Sequence, residues 1–236
     1  MIIKYERCSA MMIFTGPTAS GKTTLMKILC RRMREKGKRC ICVVSPPFGG
    51  LSYLIIMLLS KILTCSCKLR ITRRTWRGFT ILEKFNRNLI PKILPLAIVL
   101  DFLFKTLQHT TFMIAEKLDF IVLVEDYFPQ MISEHLIFSK YYRSRSKIIN
   151  YIITLELRIL HKYVRKNRDA MCIHVYADPI TRTLLELKRS GEFVDMNNFY
   201  DNFVRHLMPR TICKALRLKV IQVTSYSKED AELGVL

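Results

Sequence analysis

The sequence predicts an α/β fold of three layers, with helices on both faces of a five-stranded parallel sheet. Three observations predict it. Five short apolar runs lack the polar alternation of a half-exposed strand, as expected of strands buried on both faces. Segments with helical spacing separate them, the alternation that builds parallel sheets. The first run leads through an octet with a glycine at each end of a four-residue gap, GPTASGKT at 16–23, straight into one of those segments.

The elements follow in order. Residues 11–15 form the first strand. From Lys22 to about Lys36, Leu25, Ile28, Leu29 and Met33 share one side of a helix that Gly37 ends. RCICVVS at 39–45 is the second strand, and PPFGG at 46–50 a loop, stiff and then pliable. Residues 51–63 read as a helix. Residues 79–107 read as helices broken near Pro91 and Pro95. FIVLV at 120–124 is the third strand and ends in Glu125-Asp126. Residues 148–166 make a long amphipathic helix. MCIHVYA at 171–177 is the fourth strand, closed by Asp178-Pro179 and followed by a helix to about Arg189. After a break at 190–192, one helix spans 197–215 and the fifth strand is KVIQVT at 219–224. Ser227 and Asp230 are candidate caps of a short final helix.

The 236 residues fit a single domain over 1–236, and half of them are hydrophobic, enough for a sizeable core. Lys and Arg number 39 against 19 Asp and Glu, a formal net charge of +20 that favours phosphate-bearing partners. The eight cysteines include C-x-C pairs at 40/42 and 65/67 but no C-x-x-C, and the histidines complete no zinc pattern. Reduced, buried thiols in a cytoplasmic protein are the expectation. Charges at Lys4, Glu6 and Arg7 argue against a signal peptide. Lys61 in one apolar stretch and Lys92, Asp101 and Lys105 in another argue against an integral membrane segment.

The octet carries the chemistry. Gly16 and Gly21 admit backbone angles that turn peptide N–H groups inward around a phosphate, and the helix beginning near Lys22 adds its positive end. Lys22 can reach the β- and γ-phosphates, and the Thr23 hydroxyl can bind Mg²⁺. Gly16, Pro17, Thr18, Ala19, Ser20, Gly21, Lys22, Thr23 and Thr24 are therefore the candidate nucleotide-binding residues. A magnesium site also needs a carboxylate at the end of a neighbouring strand, and Glu125 and Asp126 are the candidates. ATP and Mg²⁺ are the expected cofactors, since no Asn-Lys-x-Asp guanine signature is present.

The arrangement resembles the P-loop NTPases, and among them the nucleotide kinases, most closely the thymidylate kinase group. SPPFGG at 45–50 stands where that group has a Pro-Gly-rich loop. Asp101 matches the first residue of its Asp-Arg pair, and Glu125-Asp126-Tyr127 falls where Asp-Arg-Tyr would be. ADPITRTLLELKRSGE at 177–192 resembles the strand, helix and lid that follow, which puts a lid near 186–198. The resemblance implies transfer of a phosphoryl group from ATP to a nucleoside monophosphate. The chain departs from the pattern with Asp-Phe at 101–102 and with Asp126 in place of an arginine. Those arginines hold the acceptor monophosphate in the family, and Arg143, Arg145 and the basic stretch 68–77 are the available substitutes. Lys188 and Arg189 are lid candidates that would neutralise charge on the transferring group. The octet also resembles the P-loop of tRNA isopentenyltransferases, but the next strand lacks their Asp-Ser-x-Gln ending.

A second class of function stays open: an ATP-binding module or ATPase that engages nucleic acid or a protein partner. The stretch 68–77 mixes Lys68, Arg70, Arg73, Arg74 and Arg77 with Trp76, residues that can grip phosphates and stack on a base. Tyr127 and Phe128 are either stacking residues of an acceptor pocket or core aromatics. His174, inside an apolar strand, reads as a satisfied core histidine. A homodimer is left open.

Overall fold

A computed structural model describes residues 11–64, 79, 82–83, 86–144, 146–190 and 200–224. The strands are β1 (Met12–Thr15), β2 (Cys40–Val44), β3 (Ile121–Glu125), β4 (Met171–Tyr176) and β5 (Lys219–Thr224). They form one parallel sheet in the order β2-β3-β1-β4-β5. The helices among the described residues are α1 (Lys22–Glu35), α2 (Gly50–Thr64), α3 (Ile90–Lys117), α4 (Phe128–Tyr141), α5 (Lys147–Lys166), α6 (Pro179–Ser190) and α7 (Met208–Ala215). A 3₁₀ turn at Arg87–Leu89 precedes α3, and a π-helix at Tyr200–Leu207 runs into α7.

Alternation along the strands sorts the core into two layers. Met12, Phe14, Ile121, Leu123, Ile173 and Val175 pack with Leu25, Met26, Leu29 and Met33 of α1. Ile13, Val122, Val124 and Cys172 point to the other face, against residues of α3, α4, α5 and α7. Burial on both faces explains the apolar runs of β1, β3 and β4, whereas the edge strands β2 and β5 are only partly buried, unlike the sequence expectation. The result is a three-layer P-loop fold, with the loop leaving the sheet's central strand.

Three further features differ from the sequence reading, one of them helix α4, which lies where that reading places no helix. Helix α3 is continuous through Pro95, with Pro91 in its first turn. Proline at 95 removes the N–H that would bond the Pro91 carbonyl. The Ser144 hydroxyl donates to that carbonyl instead, at 3.3 Å, so the acceptor is satisfied and the helix runs on. The single helix expected over 197–215 is a π-helix followed by α7, and its first residues lie outside the described set. The basic stretch 68–77, most of the lid region 186–198 and the capping pair Ser227/Asp230 also lie outside it. No described helix is long and apolar enough to cross a membrane.

Candidate nucleotide and phosphoryl-transfer site

The loop between β1 and α1 has the geometry its glycines predict. Gly16 has φ 142°, and a Cβ there would stand 2.0 Å from the Val175 carbonyl oxygen. Gly21, φ 86°, caps α1 in the left-handed region, and its carbonyl accepts the Leu25 N–H at 2.9 Å. Ala19 shares that region at φ 58°, which costs a residue with a Cβ about 1–2 kcal/mol. Helix α1 begins with no acidic residue in its first turn and no side-chain cap, so its leading N–H groups and dipole face the loop. The buried Ser20 hydroxyl has no hydrogen-bond partner among the described residues. Gly16, Pro17 and Ser20 are buried, Thr18 and Ala19 are half-exposed, and Thr24 lies one residue into the α1 turn beyond Thr23.

Lys22 is 6% exposed and its ammonium group donates to the carbonyls of Gly16 and Pro17 at 3.0 and 2.9 Å. It also stands 3.8 Å from Glu125 and 3.9 Å from Asp126. The Thr23 hydroxyl donates to Glu125 Oε2 at 2.5 Å. Parallel pairing of β1 with β3 puts Phe14 beside Glu125, which is why residues a hundred positions apart meet. Asp126 turns the chain away with φ 55°, and its N–H donates to the Phe14 carbonyl at 3.1 Å. A hydroxyl and a carboxylate in contact are hard oxygen donors of the kind Mg²⁺ takes. The left-handed turns of the loop, the uncapped start of α1 and the Lys22 ammonium group suit a polyphosphate. The residues present therefore fit a magnesium nucleotide.

An arginine that sequence reasoning missed reaches this loop. Arg205, on the π-helix, donates to the Thr18 hydroxyl at 2.6 Å and stands 3.5 Å from the buried Glu134 of α4. Nothing in the local sequence marks it, because the contact spans 187 positions. His174 lies between Thr15 Oγ1, at 3.0 Å from Nδ1, and His206, at 2.7 Å from Nε2. Burial, then the neighbouring His206, Arg210 and Lys22, push its pKa down to about 3, so it stays neutral.

A second charged cluster anchors the 45–50 loop beside the site. Asp101, buried in α3, accepts the Phe48 and Gly49 N–H groups at 2.8 and 3.1 Å. His135 of α4 bridges Asp101, at 3.2 Å, and Glu156 of α5, at 2.8 Å. Burial alone would lower the His135 pKa, but Glu156 and Asp101 outweigh it and raise it to about 10. One helical turn after Asp101, Lys105 donates to Pro46 O at 2.9 Å and to both oxygens of Ser45. Burial lowers its pKa to about 8 despite Asp101, Asp126 and Glu134 nearby. The sequence alone assigns Lys105, His135 and Glu156 no place in a site.

The structure brings the octet, Glu125 and Asp126 together, and sets Asp101 under the adjacent loop. Other candidates stand apart. Tyr127 is fully buried, its hydroxyl 2.6 Å from His109 Nδ1 and its ring edge-on to Phe128, so both are core aromatics. Arg143 is exposed in the turn after α4. The intervening 14-residue helix is about 21 Å long, so Arg143 stands well away from the end of β3. Lys188 is exposed on α6. Arg145, and the side chain of Arg189, lie outside the described residues.

The fold is similar to solved thymidylate kinases. The one from Ehrlichia chaffeensis is 14% identical, with a TM-score of 0.43 over 97% of this chain and 97% of that one. The one from Candida albicans is 10% identical, with a TM-score of 0.48 over 97% of this chain and 89% of that one. No model of a known protein family matches the chain, and neither does any curated protein.

Proposed function

We propose that this chain transfers a phosphoryl group from magnesium-bound ATP to a nucleotide acceptor. One observation carries the reading: the Thr23 hydroxyl on Glu125 at 2.5 Å, with the Lys22 ammonium 3.8 Å from the same carboxylate. This contact supports a metal seat and a phosphate counter-charge close together, beside the glycine loop at 16–21. Bound Mg·ATP would supply the transferable group and a cation to offset its charge. Thr23 and Glu125 would hold that cation, with Asp126 beside them. Lys22 would turn from the Gly16 and Pro17 carbonyls to the β/γ-phosphates. Its positive charge and the loop N–H groups stabilise the charge that develops there. Arg205, already on the loop at Thr18, adds a second cation on the side facing the π-helix. The protein's part is positioning and electrostatics, with no covalent step of its own.

A second reading is a P-loop ATPase that engages nucleic acid. It is favoured by the burial of Tyr127, by the distance of Arg143 from the loop, and by the net charge of +20. The two readings separate in one experiment. ATP is incubated with each of a panel of nucleoside monophosphates, beside ATP hydrolysis with and without DNA or RNA. Diphosphate formation from a monophosphate supports the kinase. Hydrolysis that rises only with polynucleotide replaces it with the ATPase.

A further inference from the structure

On the sheet face opposite the charged cluster, three cysteines from two elements converge. Cys30 comes from the third turn of α1, and Cys40 and Cys42 are alternate residues of β2, so both project to the same side of the strand. Each of the three sulfurs lies within 4.8 Å of the other two. This is the one group of three or more metal-ligating side chains with that spacing among the described residues. Tetrahedral zinc about 2.3 Å from each of three thiolates sets them about 3.8 Å apart, so each pair needs to close by no more than about 1 Å. Cys30 and Cys40 are buried and Cys42 is half-exposed, so the cluster has a dry back and an open front. The front is a groove lined by Lys27, Cys30, Arg31, Arg34, Glu35 and Cys42.

We propose that Cys30, Cys40 and Cys42 form a three-thiolate site for a thiophilic d¹⁰ ion, zinc(II) being the ion its charge balance favours. Three thiolates around a dipositive ion carry a net charge of −1, and Lys27 and Arg34 at the groove are placed to offset it. The ligand frame is braced from outside. Arg34 donates through Nε and Nη2 to the Cys40 carbonyl at 3.1 and 2.7 Å, tying the end of α1 to the start of β2. Such outer contacts orient ligands and tune affinity. Three protein ligands leave the fourth position open to the groove, for water or an incoming thiol. Behind the cluster, the Met33 thioether stands 3.9 Å from Cys40 and fills the space with a soft, apolar group. The site lies along α1 from the phosphate loop, so zinc would join the second half of that helix to the sheet.

The test uses the full chain, reduced and freed of metal, titrated with zinc(II) and separately with cobalt(II). The expected result is one zinc per chain, a raised melting temperature and a thiolate-to-cobalt charge-transfer absorption. Zinc should also shield the half-exposed Cys42 from maleimide. Cys42→Ser should weaken zinc binding by more than about 100-fold, beyond the 10–100-fold typical of losing an outer-shell partner. Cys67→Ser, in the other C-x-C pair, should leave it unchanged. If Cys42→Ser does not fold, the cobalt spectrum and thiol shielding of the unaltered chain decide alone. No charge-transfer band, no shielded thiols, equal zinc binding in Cys42→Ser, or a disulfide within the cluster in place of zinc uptake would each overturn the proposal. Uptake of copper(I) without zinc would overturn the zinc assignment.

Discussion

Two charged clusters flank the end of β3, and they are built in opposite ways. The cluster at the phosphate loop joins Lys22 and Thr23, neighbours in one octet, to Glu125 and Asp126. Its carboxylates keep some contact with solvent, with Asp126 at 19% exposure. The cluster under the 45–50 loop draws Asp101, Lys105, His135 and Glu156 from three helices, and all of them are fully buried. On the proposed function, the first takes up and releases a charged ligand. The second completes its charge balance inside the protein, as buried ions must. One cluster therefore reads as machinery and the other as the brace for the loop beside it.

The largest effect is expected at the brace. Asp101→Ala strands the Phe48 and Gly49 N–H groups and leaves His135 and Lys105 short of a counter-charge. Breaking a buried pair costs about 3–5 kcal/mol, visible as a lower denaturation midpoint. Near-normal stability of this variant would mean that the brace is no brace. Next comes the machinery. Lys22→Ala should lower ATP turnover by at least about 100-fold, the usual cost of losing one donor to developing charge. Its melting temperature should change little compared with Asp101→Ala. A variant that instead unfolds would make Lys22 structural and merge the two clusters into one kind.

The brace also predicts a pH dependence. His135 titrates at about 10 in the folded chain against 6.5 unfolded, so the folded state holds the extra proton between those values. That stabilisation is fully present below about pH 6.5 and is lost as pH rises toward 10. Lys105 acts oppositely: its folded value of about 8 lies below 10.5, so the cost of keeping it charged is relieved above pH 8. Stability should therefore fall with pH from about 6.5 to 8 and then level off. Denaturant titrations of the wild type and His135→Gln test this, and the slope over 6.5–8 should shrink in the variant. An unchanged slope would remove His135 from the account. The smallest effect is expected at Ser144→Ala, which leaves the Pro91 carbonyl without its donor. A loss of about 0.5–1.5 kcal/mol is the cost of one such hydrogen bond.

The same contrast explains what the sequence shows and what it hides. The octet is legible because phosphate binding needs its residues at fixed short spacing. Glu125 is legible because it ends an apolar run. The central strands β1, β3 and β4 are legible because burial on both faces leaves them few polar residues, while the edge strand β5 keeps Lys219, Gln222 and Thr224. Helix α4 left no comparable mark: most of Phe128–Tyr141 is buried, so no polar face gives the helix a period. His135 and Glu134 were hidden with it. Lys105 lies in view among apolar residues, but only the folded loop shows what it binds. Prolines near 91 and 95 suggested a break that the Ser144 hydroxyl, about fifty positions on, makes unnecessary. Arg205 illustrates the same limit, since a contact across the chain has no local spacing to betray it.

The central claim is that residues 16–23 with Glu125 bind a magnesium nucleoside triphosphate. Isothermal calorimetry on the full chain, titrated with ATP in magnesium and then in excess chelator, tests it most directly. The account predicts one ATP per chain, binding that weakens sharply without magnesium, and little or no heat from Lys22→Ala. No heat from the unaltered chain, or equal heats from the unaltered chain and Lys22→Ala, would contradict it.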